Sequence, residues 1–160
     1  MKPRILILAG AALVGLLASQ SKVTYLTDLP TVHAQDENSG CSLQTLTGRY
    51  AVEAEGTVVA QLPGLPAPPF PFGEVGIDTF NVNGSWSGQV IANFGGLVVP
   101  VTVTGTYLLN ADCIGTRTYN TSVGLVAHDA FVVTEGGRTL VVTQTDPFAV
   151  VQRKLKRLGE

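Results

Sequence analysis

The chain has 160 residues, a net charge of −2, 18 glycines and only 14% charged residues. That length is enough for one domain with a real core, and charge this sparse argues against disorder. It also leaves no basic surface of the kind that binds nucleic acid.

The first 34 residues read as a leader. Lys2 and Arg4 precede an apolar run, residues 5–18, that is short for a membrane span and suited to the core of a signal peptide. Val32-His33-Ala34 places small residues before Gln35, the preferred cleavage point. Cleavage near Ala18 and retention as an uncleaved anchor stay open as alternatives. Residues 1–34 are therefore assigned to a helical signal peptide and spacer, and the protein is expected to be secreted or periplasmic, with no stable membrane span after cleavage.

Residues 35–45 are polar and expected to be loose. From residue 46 to 160 the chain is rich in Val, Thr and Gly, which points to a single all-β domain. Residues 46–59 alternate, with Tyr50, Val52 and Ala54 on one face and Arg49, Glu53 and Glu55 on the other, as in a half-buried strand. Residues 61–74 hold five prolines, each of which removes a ladder donor. They read as a long loop, either packed over one end of the sheet or forming a lid at a pocket mouth.

The next strand is expected over residues 75–81, turned by Asn83-Gly84 into residues 85–94, with Gly95-Gly96 turning again. Residues 97–109 form the clearest strand. Val99, Val101, Val103, Tyr107 and Leu109 share one parity, and Thr102, Thr104 and Thr106 the other. Gly105 lies on the apolar parity, where a missing side chain suggests close approach of another backbone. Asn110-Ala111-Asp112 supplies turn chemistry, and residues 113–120 return. Residues 123–135 carry apolar side chains on both parities, which suggests burial on both sides or a bulge at His128-Asp129. Residues 138–145 and 148–158 complete the set. The last ends in Arg153, Lys154, Lys156 and Arg157, read as a solvated strand end or a contact for an anionic surface.

About eight strands joined by short turns favour an antiparallel up-and-down barrel, because closure removes the exposed edges. A Greek-key β-sandwich is the alternative. Cys41 and Cys113 are expected to form one disulfide in an exported chain, with two free buried thiols as the alternative.

Leu46-Thr47-Gly48-Arg49-Tyr50, Pro71-Phe72-Gly73-Glu74-Val75-Gly76 and Gly105-Thr106-Tyr107, followed by Asn110 through Thr116, resemble segments of small exported bacterial proteins, mostly uncharacterised. Their bodies are similar to calycin-type or allene-oxide-cyclase-like β-barrels. The resemblance implies the fold and the compartment, and no catalytic residue.

Nucleophile-elbow, P-loop, dinucleotide and zinc-protease motifs are absent from the sequence. No cofactor is expected, and the two histidines lack ligand spacing with the cysteines, so no metal is expected either. His128, beside Asp129, is the weak candidate for a catalytic group if it faces inward. Tyr50, Trp86, Val101, Val103 and Tyr107 are the candidates to line a ligand cavity. Three readings follow: a barrel binding a small apolar ligand, a cyclase- or isomerase-like barrel enzyme acting on a hydrophobic substrate, and a structural or adhesive envelope protein that exposes residues 62–72. The oligomeric state is left open.

Overall fold

The computed structural model describes residues 40–159. The proposed leader, residues 1–34, and the first part of the 35–45 segment lie outside the described residues. Eight strands follow a one-turn helix, α1 (Leu43–Leu46): β1 (Gly48–Val58), β2 (Phe70–Phe80), β3 (Ser85–Phe94), β4 (Leu97–Leu109), β5 (Ile114–Thr121), β6 (Val126–Thr134), β7 (Thr139–Gln144) and β8 (Ala149–Arg157). Each pairs antiparallel with its neighbours in sequence, and β1 pairs with β8 to close the barrel. The order is that of an up-and-down meander, so the Greek-key sandwich does not apply. Closure leaves no strand with a free row of backbone donors and acceptors.

Alternation decides what fills the interior. In β3, Trp86, Val90, Ala92 and Phe94 point inward, and Ser87, Gln89, Ile91 and Asn93 outward. In β4, Val101, Val103 and Tyr107 point inward. A Cβ at Gly105 would lie 2.0 Å from the Thr118 carbonyl oxygen and 2.8 Å from the Tyr119 Cβ. The absent side chain there makes room for Tyr119 on β5. The outer face of β1 and β8 is charged, with Glu53 opposite Lys154 and Lys156 opposite Ala51. Among the described residues no helix is long and apolar enough to cross a membrane.

One end of the barrel is plugged. Tyr50, Phe80, Tyr107, Leu46, Leu140 and Leu155 are fully buried there. Phe80 meets the edges of Tyr50 and Tyr107 at 5.4 and 5.2 Å between ring centroids, the geometry that ring quadrupoles favour. Both phenols find carbonyls: Tyr50 donates to Gly137 at 2.7 Å and Tyr107 to Asn81 at 2.7 Å. A disulfide joins Cys41 to Cys113 at this end, and the Cys41 amide donates to the Ala111 carbonyl at 3.1 Å. Residues 40–45 are thus held against the barrel instead of lying loose. Cys113, and not Asn110 or Asp112, takes the left-handed conformation in the β4–β5 turn, with φ 66°.

Three expectations need correction. β2 begins at Phe70, so the Pro-rich stretch gives up its last residues to the sheet. Pro71 is tolerated because the β3 ladder begins only at Phe72, where no donor is required of it. β6 is regular, without a bulge: its ladder with β5 runs unbroken from Asn120↔Val126 to Ile114↔Val132. Finally, the basic end of β8 is not a uniform solvated cluster. Alternation turns Arg153 inward and Lys154 and Lys156 outward. Arg157 folds over the plugged end, donating to the Thr45, Thr47 and Gly137 carbonyls and to Tyr50 Oη at 2.6–3.1 Å.

Candidate functional site in the barrel interior

The opposite end of the barrel is open to a cavity. The cavity has a volume of about 60 Å³. Val90, Ala92, Val101, Val103 and Val151 form its walls, and Phe72, Phe94, Leu125 and Phe148 stand near the mouth. Leu62 of the Pro-rich segment also lines it and is 8% exposed. The segment is secured at its start, where the Val59 and Ala60 amides donate to the Phe148 carbonyl. Phe70 is buried, and Leu65 and Phe72 pack against the core. These residues therefore do not form the exposed apolar patch that an adhesive surface would need.

Below the apolar walls lies a line of five charged side chains, each on an inward parity: Glu74 and Asp78 on β2, Arg117 on β5, Asp129 on β6 and Arg153 on β8. They alternate in sign. Asp78 Oδ2 accepts from Arg117 Nη1 at 3.0 Å, and Asp129 Oδ2 accepts from Arg117 Nε at 2.7 Å. Asp129 Oδ1 accepts from Arg153 Nη1 at 3.2 Å, and Glu74 Oε1 accepts from Arg153 Nε at 2.7 Å. The Arg117 and Asp129 side chains are 2% and 0% exposed. Charges this deep are costly unless paired, and removing one partner strands the other.

Aromatic rings complete the floor. The Arg117 guanidinium lies 4.4 Å from the centroid of Trp86 and 5.5 Å from that of Tyr119, within cation–π range. Trp86 meets Tyr119 edge-on at 5.2 Å and stacks on Phe80 at 5.8 Å. Its indole Nε1–H is sealed from water and has no hydrogen-bond acceptor, a cost of about 1–3 kcal/mol.

These surroundings shift the titrations. Burial raises the Asp78 carboxyl, and the Arg117 guanidinium offsets only part of that rise. Burial also holds the Tyr119 phenol well above its ordinary range, so it keeps its proton. Burial opposes the charges on Arg117 and Arg153. Asp129 and Asp78 more than offset this for Arg117, and Glu74 leads the groups that do so for Arg153, so both guanidiniums stay charged.

Of the candidates read from the sequence, Trp86, Val101 and Val103 line the cavity. Tyr50 and Tyr107 do not; they belong to the aromatic plug beneath it. His128 faces out of the barrel. Its side chain is 51% exposed, and its Nδ1 lies 2.9 Å from Asp146 Oδ1 at the β7–β8 turn. Its neighbour Asp129 is the inward member of the pair, as the regular strand requires. The sequence reading missed Glu74, Asp78, Arg117, Asp129 and Arg153. A signal was present, since each charge sits on the parity that otherwise carries apolar residues or glycine. Arg117 lies between Gly115 and Tyr119, Asp129 between Ala127 and Phe131, and Arg153 between Val151 and Leu155. Among the described residues no cluster of His, Cys, Asp and Glu could hold a metal ion.

No known protein family matches the chain, and none of the curated proteins does. Among solved structures it is similar to a redesigned β-barrel, mFAP1, bound to DFHBI. The match has a TM-score of 0.51 and 14% identity, and covers 72% of this chain and 98% of that one. At that identity the likeness speaks for the fold alone: the chain is a closed, eight-stranded antiparallel β-barrel.

Proposed function

We propose that this protein is an exported binding barrel that holds a small, largely apolar ligand in the open half of its interior. The observation that carries the reading is the cavity itself, apolar-walled, open at one end and floored by polar groups held rigid by their own pairing. Sites of this kind combine apolar walls with a few fixed polar groups that orient the ligand. The barrel it resembles was determined with DFHBI bound, which supports use of such an interior for a compact ligand. Export to a secreted or periplasmic location is supported by the leader-like residues 1–34 and by the Cys41–Cys113 disulfide, a bond that persists in oxidising compartments.

Trp86 is the chain's single tryptophan and lines the cavity, so the protein carries its own reporter. Titration with indole-free aromatics such as toluene and 2-naphthol should change Trp86 emission saturably. Val101→Trp, which fills the cavity from β4, should abolish binding while the barrel still folds. Native mass spectrometry of protein purified from its own envelope fraction should show a retained small molecule. Probes that leave emission unchanged, together with a bare mass from the native source, would overturn the reading.

A further inference from the structure

The interior charges do not balance. Three carboxylates face two guanidiniums along the line from Asp78 to Glu74. Asp129, in the middle, uses both oxygens. Glu74 and Asp78, at the two ends, each use one: Glu74 Oε2 and Asp78 Oδ1 accept no hydrogen bond from any described residue, and both side chains line the cavity. Tyr119 adds an independent observation. It is 5% exposed and lines the cavity, and its phenol makes no hydrogen bond to the described residues. The Trp86 Nε1 is the only fully sealed, unpartnered side-chain nitrogen or oxygen among those residues. The Tyr119 oxygen is therefore not sealed, and the space it opens on is the cavity.

The polar floor thus presents three free acceptor oxygens and a surplus of one negative charge to an enclosed, weakly screened space. Coulomb energies rise several-fold there relative to water. An anionic head group could reach Arg117 Nη2 and Arg153 Nη2, which make no hydrogen bond to the described residues, but it would add a fourth negative charge to a floor that already carries one in surplus. A protonated amine brings the missing positive charge and three N–H donors.

Resting on the ligand-binding reading above, we propose that the cavity selects small apolar amines, whose protonated nitrogen is drawn to the free oxygens that Glu74, Asp78 and Tyr119 offer along this floor while the apolar body lies against the valine walls. Burial, more than any neighbouring charge, raises the Asp78 carboxyl: a proton there is the alternative source of neutrality, and the bound ammonium takes its place.

The test is calorimetric titration of the full barrel near neutral pH with benzylamine, benzyl alcohol and benzoate, and with their naphthyl homologues. The amine of each series should bind at least tenfold more tightly than the alcohol, and the carboxylate most weakly. Glu74→Gln and Asp78→Asn should each bring amine and alcohol to within about threefold of one another, roughly the loss of one charge-assisted hydrogen bond. Glu74 is the less deeply buried of the two, so Glu74→Gln keeps the test decisive if Asp78→Asn fails to fold. Alcohol or carboxylate binding as tightly as the amine overturns this inference and leaves the binding barrel standing. Failure of every compound to bind overturns this inference and, together with a bare mass from the native source, the binding barrel as well.

Discussion

Arg117 and Asp129 stand directly opposite one another on β5 and β6, joined Nε to Oδ2 at 2.7 Å with neither side chain reaching bulk water. Asp129 also holds Arg153 through its other oxygen, so one carboxylate bridges two buried guanidiniums. Asp129→Ala breaks the bridge but leaves Arg117 with Asp78 and Arg153 with Glu74, and the expected loss, from the guanidinium N–H groups left without an acceptor, is about 1–3 kcal/mol of unfolding free energy. Asp129→Asn, which keeps the shape and one acceptor, should lose less. Urea unfolding followed by Trp86 emission measures both. A loss below about 1 kcal/mol for Asp129→Ala, a value ordinary for exposed pairs, would show that the ladder is not structural.

Asp78 makes a pH prediction with a definite sign. Its folded carboxyl titrates above the unfolded value of 3.8, so the folded state holds that proton more tightly. The resulting stability is fully present below 3.8 and is lost as pH rises through the raised folded value. Asp78→Asn never carries the charge. The stability of wild type relative to Asp78→Asn should therefore fall as pH is raised from about 3.5 towards neutrality. Parallel urea midpoints across that range check it, and a wild type that gains on Asp78→Asn as pH rises contradicts the burial argument.

Gly88 is inward on β3, and a Cβ there would lie 2.1 Å from Asp78 Oδ1 and 2.8 Å from Val103 Cγ2. The Asp78 carboxylate occupies the space a side chain would take. Gly88→Ala should cost about 1–3 kcal/mol by overpacking and push Asp78 away from Arg117. At Gly73 the nearest atom to an added Cβ is 3.6 Å away, so Gly73→Ala should stay within about 0.5 kcal/mol of wild type. Equal effects at the two positions would rule out the Asp78 contact as the cause.

The Cys41–Cys113 bond closes a loop with a sequence separation of 72, worth about 4 kcal/mol in the chain-entropy picture. Cys41→Ser with Cys113→Ser should lower stability by about 2–5 kcal/mol, and reduction of the native protein should do the same. The Arg157 hydrogen bonds to Thr45 and Thr47 remain in that variant. A loss near zero would mean that they alone hold the N-terminal segment to the plugged end.

Much of the fold was legible in local chemistry. The single-parity run Val99, Val101, Val103, Tyr107 needs no partner to be read as a strand, because alternation is a property of one chain segment. Gly84, Gly95 and Gly96 sit at positive φ in their turns, where glycine is favoured for steric reasons that are equally local. Cysteine count and a leader-like start sufficed to expect the Cys41–Cys113 pair.

What sequence determined by itself is therefore most of the strand set, its turns and the alternation of faces within the clearest strands. Tertiary structure decided what stands opposite each inward residue. Pairing of β1 with β8 turned a meander into a closed barrel, and only that closure carries Arg117 from β5 to Asp78 on β2 and Arg153 from β8 to Glu74. It likewise placed Tyr50 and Tyr107 in the plug and Trp86 beside the cavity, although all three share an inward parity. Alternation fixes direction relative to the strand, and strand register and barrel curvature set the height along the axis at which side chains meet. For that reason a charge on an apolar parity looks like an isolated exception in sequence and becomes one rung of a five-membered ladder in the folded chain.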